Sequence, residues 1–160
     1  SKMPDMQAGW EQMCSSVMAG LSGLNMVYEA AGMHASLLGF CHESLILGDD
    51  LIGQSMRCVR GIEVNDETLA LDQIADVCLN GPGHYLGTDQ TLGRMQSDHV
   101  YPQLGDRTSP KEWAEIGKPV LTEKATKIKE DILSKPSEVA FDPILDANLR
   151  KKYKIHLNMN

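Results

Sequence analysis

The sequence predicts an incomplete α/β unit followed by a helical extension, and three observations carry that fold class. Residues 5–23 and 43–60 repeat apolar side chains at helical spacing. Between them, "LNMVYEAAG" at 24–32 is a short apolar run without strict alternation, as in a buried parallel strand. At most one further segment reads as a strand, and a lone strand cannot make a sheet. Residues 1–62 therefore read as helix, strand, helix from an α/β body whose other strands lie elsewhere, and 63–160 as helical extension.

The first helix, 5–23, opens at Pro4 and Asp5, which place a restricted backbone and an acid at the positive end of the helix dipole. Met6, Trp10, Met13, Val17 and Leu21 form its expected buried stripe, widened by Cys14 and Met18. The other side carries Gly9, Ser16, Gly20 and Gly23, small enough for a close neighbour. In the strand, Val27 and Tyr28 favour extended backbone, and Gly32 ends it. The second helix, 43–60, has Leu45, Ile52, Met56 and Val59 as its stripe and Gly61 as its stop.

A helix over 66–79 follows, capped by Asn65 or Asp66, with Leu69, Ile74 and Val77 expected inside and "NGPG" at 80–83 ending it. Residues 88–99 read as a short helix. In "SPKEW", Ser109 caps, Pro110 takes the first helical position and Glu112 completes a capping box. Pro119 interrupts; 120–134 resume as a charged helix stopped by Pro136; Asp142-Pro143 starts a last helix to about Tyr153.

Composition narrows the function. The chain has 160 residues, enough for one modest domain, and a net charge of −7, which disfavours nucleic acid as a partner. Residues 1–110 hold 5 Lys/Arg against 14 Asp/Glu; residues 111–160 hold 10 against 8, so the tail is distinctly more basic. The four cysteines show no CxxC spacing and sit among apolar neighbours, as buried free thiols in a reducing cytoplasm would. The 17 uncharged residues from Gln12 to Tyr28 are broken by serines, glycines and Asn25, so no membrane span is expected.

No strong catalytic motif is present: no GxSxG, Walker A, GxGxxG or HExxH. Function in parallel α/β proteins gathers at strand C-terminal ends. Here that end is Tyr28-Glu29-Ala30-Ala31-Gly32, followed by a loop with His34, Phe40 and His42. Glu29 suits an ammonium group, a hydrogen-bond network or a helix cap. Tyr28 suits a cation pocket through its π face, or plain burial. His34 and His42 suit acid–base work or loop hydrogen bonding; without a carboxylate or Cys at ligand spacing, metal binding is not expected. "GPGHYLG", 81–87, is either a tight structural loop or a cofactor-facing rim around His84. Asp49-Asp50 reads as a solvated or helix-capping pair, and Met6, Met13 and Met18 as core.

Together, "SKMPDMQAGWEQ", "GLSGLNMVYEAAG", "RGIEVNDETLALDQI", "GPGHYLG" and "YPQLGDRTSPKEWAEIGK" resemble the C-terminal part of trimethylamine:corrinoid methyltransferases, from Ser1 to about Leu133. The resemblance implies a TIM (β/α)8 barrel of longer chain length. Residues 1–62 would end it, supplying about helix 7, strand 8 and helix 8; residues 63–160 would be a C-terminal helical extension. It implies a cytoplasmic methanogen enzyme that moves a methyl group from trimethylamine to the Co(I) of a corrinoid on a partner protein. It also implies pyrrolysine, expected immediately before Ser1, the remaining N-terminal part of the same enzyme, and a homo-oligomer. Tyr28, Glu29, His34, Phe40 and His42 are then substrate-pocket candidates, and Gly83, His84 and Tyr85 corrinoid-facing loop candidates. Gly87-Thr88-Asp89-Gln90-Thr91 lacks the histidines that related quaternary-amine enzymes often carry after this loop. A pyrrolysine-free glycine betaine-type methyltransferase is the alternative, and a non-catalytic helical interaction module the alternative of another class.

Overall fold

A computed structural model describes residues 1–136 and 142–156. The chain divides into two compact units, Ser1–Lys129 and Glu130–Asn160.

The first unit is organised by two helices, α1 (Met6–Leu21) and α2 (His42–Arg60), which pack against each other. Asp5 caps α1 as expected, accepting a hydrogen bond from the Ala8 N–H at 3.0 Å. Glycines set how closely neighbours approach. A Cβ on Gly20 would overlap Val59 of α2, and one on Gly48 would lie 2.5 Å from the Ala31 Cβ and 2.6 Å from Gln12 Nε2. The small residues Gly20 on α1 and Gly48 on α2 therefore serve close approach between neighbouring elements.

The expected strand at 24–32 does not form. A strand needs a neighbour for its ladder, and none is offered among the described residues. The segment is instead held by single bonds: Gln12 Nε2 donates to the Ala30 carbonyl at 2.7 Å, and the Cys41 N–H to the Gly32 carbonyl at 2.9 Å. Extended pairing appears just downstream, in a two-stranded antiparallel hairpin of β1 (Met33–His34) and β2 (Gly39–Phe40), with Met33 opposite Phe40. Its turn is left-handed at three successive non-glycine residues, Ala35, Ser36 and Leu37 (φ 51°, 55° and 68°). Such backbone costs about 1–2 kcal/mol per residue.

The helix expected at 66–79 is divided. An Asn65–Thr68 capping box closes α3 (Asp66–Leu69), Ala70 turns left-handed (φ 47°), and α4 (Leu71–Ala75) runs into a π-helical turn, Asp76–Asn80. Then come α5 (Asp89–Ser97), α6 (Pro110–Glu115) and the start of α7 (Leu121–Ser134). The Ser109–Glu112 capping box of α6 is present on both sides, as its sequence demands. Asp50 is not simply a solvated acid. It accepts from the N–H groups of Gln103 (2.8 Å) and Gly105 (3.4 Å), fixing the loop that carries buried Leu104. The second unit contains the end of α7 and α8 (Pro143–Lys152), which Asp142 caps.

Little of the expected core is covered. Among the described residues, the buried hydrophobic side chains are Val77, Leu104 and Ala125. Met6, Trp10 and Leu21 of the α1 stripe are 80%, 60% and 63% exposed, and Leu69 and Ile74 are exposed as well. The thiols of Cys14, Cys58 and Cys78 are also exposed rather than buried, and that of Cys41 is half-buried. The common cause is an apolar face without a packing partner among the described residues.

Candidate functional site

A cleft of about 450 Å³ opens between α1, the segment 27–34 and the start of α2. Helical spacing explains the α1 wall: Asp5, Ala8, Gln12, Ser15 and Ala19 follow i, i+3, i+4 steps and share one face. That face is small and polar, so the cleft stays open. Gly48 lets α2 come close enough for Ala31 and Gln12 to form the floor.

Three of the sequence candidates, Tyr28, Glu29 and His34, line this cleft. Glu29 is exposed with φ 55°, an uncommon backbone for a glutamate, and Tyr28 is 77% exposed. His34 Nε2 lies 2.6 Å from the Ser44 hydroxyl, and Ser44 is buried. The loop hydrogen bond expected of a histidine is thus present, inside the cleft. Phe40 and His42 meet each other edge to face, with ring centroids 5.1 Å apart, and neither is part of the cleft lining.

Gly83, His84 and Tyr85 are also outside the cleft lining. The Tyr85 hydroxyl is 3.5 Å from Cys78 Sγ, and that contact raises the phenol's pKa. Gly83 takes φ 73°, and its N–H bonds the Val77 carbonyl, so this loop ends the π turn. That is the structural role weighed for it.

Among the described residues, the charged side chains lining the cleft are Asp5, Glu11 and Glu29, with no Lys or Arg, and Ser1 lines it with its amino group against Glu11. The Asp5 carboxyl is held below its ordinary range by the Ala8 N–H and the Ser1 hydroxyl. That of Glu11 is lowered by the Ser1 amino group, 2.6 Å away, and by Gln7. Sequence reasoning missed Ser44, Gln12, Asp5 and Glu11. The available signal was the i, i+3, i+4 spacing of polar residues on a helix otherwise short of charge.

Next to the cleft, Glu43 on the first turn of α2 accepts from Lys129 Nζ (2.6 Å), Thr126 Oγ1 (3.3 Å) and Cys41 Sγ (3.4 Å). The Lys129 bond, with the Glu43 backbone, lowers its pKa to about 2. Among the described residues no three His, Cys, Asp or Glu side chains are grouped to hold a metal ion, and no helix is long and apolar enough to cross a membrane.

An acidic cleft with an aromatic at its rim suits a small organic cation. In comparison with known proteins, the model of the family described as trimethylamine methyltransferase (MTTB) matches residues 1–156. The chain belongs to the trimethylamine methyltransferase family. A trimethylamine methyltransferase of Methanosarcina mazei is 34% identical over 152 residues, covering 94% of this chain and 29% of the relative. One from Methanosarcina barkeri is 34% identical over 134 residues, 83% of this chain and 26% of the relative. The glycine betaine methyltransferase of Desulfitobacterium hafniense is 30% identical over 151 residues, 94% of this chain and 31% of the relative. The chain thus spans less than a third of the length of these family members.

Proposed function

We propose that these residues form one wall of the substrate site in a trimethylamine methyltransferase of longer chain length. The observation that carries this reading is the cleft lined by Asp5, Glu11 and Glu29 without a Lys or Arg side chain. Such a wall attracts a compact methylated cation, and Tyr28 offers a π face beside Glu29. Where Ser1 is joined to a preceding residue, its nitrogen is a neutral amide and Glu11 loses an ion-pair partner, which deepens the negative potential.

A corrinoid in its Co(I) state, carried by a partner protein, would supply the nucleophile that takes the methyl group. The task of this chain's residues is to bind the amine, orient it and exclude water. The barrel reading belongs to the same proposal: α1, the segment 24–32 and α2 would be helix 7, strand 8 and helix 8 of a cytoplasmic TIM-barrel enzyme. The strand's missing partners and the uncovered α1 stripe support it. Pyrrolysine immediately before Ser1 belongs to the same proposal, since Ser1 lines the cleft and its carbonyl accepts from the Ala35 N–H at 2.9 Å. A peptide spanning that junction with one residue of pyrrolysine mass is the expected spectrum; an ordinary residue there overturns this part.

The second reading, a glycine betaine methyltransferase, is favoured by the Desulfitobacterium relative. Betaine carries a carboxylate, which this wall of three acids repels. The test is methyl transfer to the corrinoid partner by the full-length enzyme, with trimethylamine and glycine betaine compared as donors. Trimethylamine is the expected donor; activity on glycine betaine alone would overturn the reading.

A further inference from the structure

Trimethylammonium differs from every quaternary amine by one feature, a single N–H. A site that chooses between them needs one acceptor for that hydrogen. Among the described residues, His34 is the only imidazole in the lining of the cleft, and its Nε2 is 2.6 Å from the hydroxyl of buried Ser44. That contact permits two tautomers. In one, Nε2–H donates to Ser44 and Nδ1 is an acceptor. In the other, Ser44 donates to Nε2 and Nδ1–H is a donor, suited to a carboxylate.

The ligand decides between them. Asp5 at the N-cap of α1, Glu11 on α1 and Glu29 on the segment 27–34 are carboxylates, Ser1 places its amino group against Glu11, and α2 contributes the neutral Ser44. A ligand drawn to that wall is a cation, and a protonated amine brings a donor. We propose that His34, with Nε2–H donated to Ser44 and Nδ1 as acceptor, takes the N–H of trimethylammonium and so selects tertiary over quaternary amines. This inference rests on the amine-methyltransferase reading above. His34 touches the substrate; Ser44 is a positioning residue that acts through it. Accepting that one hydrogen also fixes which way the three methyl groups face, the orientation that transfer requires. A quaternary amine leaves Nδ1 facing a methyl group, unpaired.

The test uses the full-length enzyme and calorimetric binding of trimethylammonium and tetramethylammonium. Wild type is expected to bind trimethylammonium roughly 10- to 100-fold more tightly, the range of a hydrogen bond to a charged group. His34→Leu is expected to bring that ratio close to one while tetramethylammonium still binds. Ser44→Ala is expected to shrink the ratio partway, and Ser44→Thr to restore it, a rescue that a merely structural role would not show. In ¹⁵N-histidine spectra, His34 is expected as the Nε2–H tautomer in wild type and Ser44→Thr.

An unchanged ratio in a folded His34→Leu enzyme overturns the inference and leaves the reading of the family's activity standing. The Nδ1–H tautomer also overturns it. Should His34→Leu fail to fold, the Ser44 pair and the tautomer decide. Failure of the wild-type enzyme to bind or demethylate trimethylamine overturns the underlying reading instead.

Discussion

Two glycines on one helix give a sharp test of how the cleft is built. Gly48 and Gly53 both belong to α2, but a Cβ at Gly53 meets nothing within 4 Å, while one at Gly48 lies 2.5 Å from the Ala31 Cβ and 3.3 Å from its Cα. Each Gly→Ala change gains about 0.8–1 kcal/mol of helix propensity. At Gly53 that is the whole effect. At Gly48 the Ala31 segment must withdraw by more than an ångström, and overpacking of this kind costs about 1–3 kcal/mol. The displacement also strains the Gln12–Ala30 hydrogen bond, worth about 0.5–1.5 kcal/mol. Gly48→Ala is therefore expected to destabilise by about 2 kcal/mol, and Gly53→Ala to stabilise by about 1 kcal/mol. Hydrogen exchange on the full-length enzyme reads both. The Cys41 amide, which donates to the Gly32 carbonyl, should exchange roughly 30-fold faster in Gly48→Ala and no faster in Gly53→Ala. Because Ala30 and Ala31 line the cleft, Gly48→Ala should also raise KM for the amine. Equal protection in the two variants would refute the close-approach argument.

Other outcomes follow from the same structure. Glu43 has a folded pKa of about 2 against an ordinary 4.5, so its stabilisation is present above about 4.5 and is lost as pH falls towards 2. Acid-melting curves of Glu43→Gln should be flatter than wild type in that window; superimposable curves would count against the Lys129 pairing. Ala70→Gly, at φ 47°, should slow hydrogen exchange across α3 and α4 by relieving about 1 kcal/mol of left-handed strain. Glu29→Gln should raise KM for trimethylamine roughly two- to fivefold, the scale of an exposed charge contact, and an unchanged KM removes Glu29 from the pocket. The 160 residues expressed alone should melt without cooperativity, because the described residues bury so few apolar side chains; a sharp transition by circular dichroism would contradict this.

Local signals in the sequence were legible where chemistry and geometry act within four residues. Asp5, Asn65, Ser109 and Asp142 cap helices where their positions demand, and Pro110 and Pro143 take first helical positions. Tyr28 and Glu29, within the one apolar run, and His34, just after it, were legible as neighbours of one another, and all three line the cleft. Other features depend on contacts distant in sequence. Asp50 answers to Gln103 and Gly105, Ser44 to His34, and Gly48 to Ala31. No strand forms at 24–32 among the described residues, because Val27 and Tyr28 favour extended backbone but cannot supply a neighbour. Nothing local distinguishes Ala70 as the break in the helix.

The polar, small-residue face of α1 lines the cleft, and its apolar stripe of Met6, Trp10 and Leu21 lies exposed. An ordinary surface helix has the reverse arrangement, with the apolar face inward. Burying those three side chains is worth about 1.5–3 kcal/mol each, more than the single Gln12–Ala30 bond that ties this helix to the cleft floor. Covering the stripe would therefore steady the cleft wall more than that bond does. Trp10→Ala, outside the cleft lining, is expected to act on the site in this way: a loosened α1 lets Gln12 and Ser15 turn together, because they share one helix. A variant that kept both its amine affinity and its α1 exchange protection would show that the cleft is held by the α1–α2 contact alone.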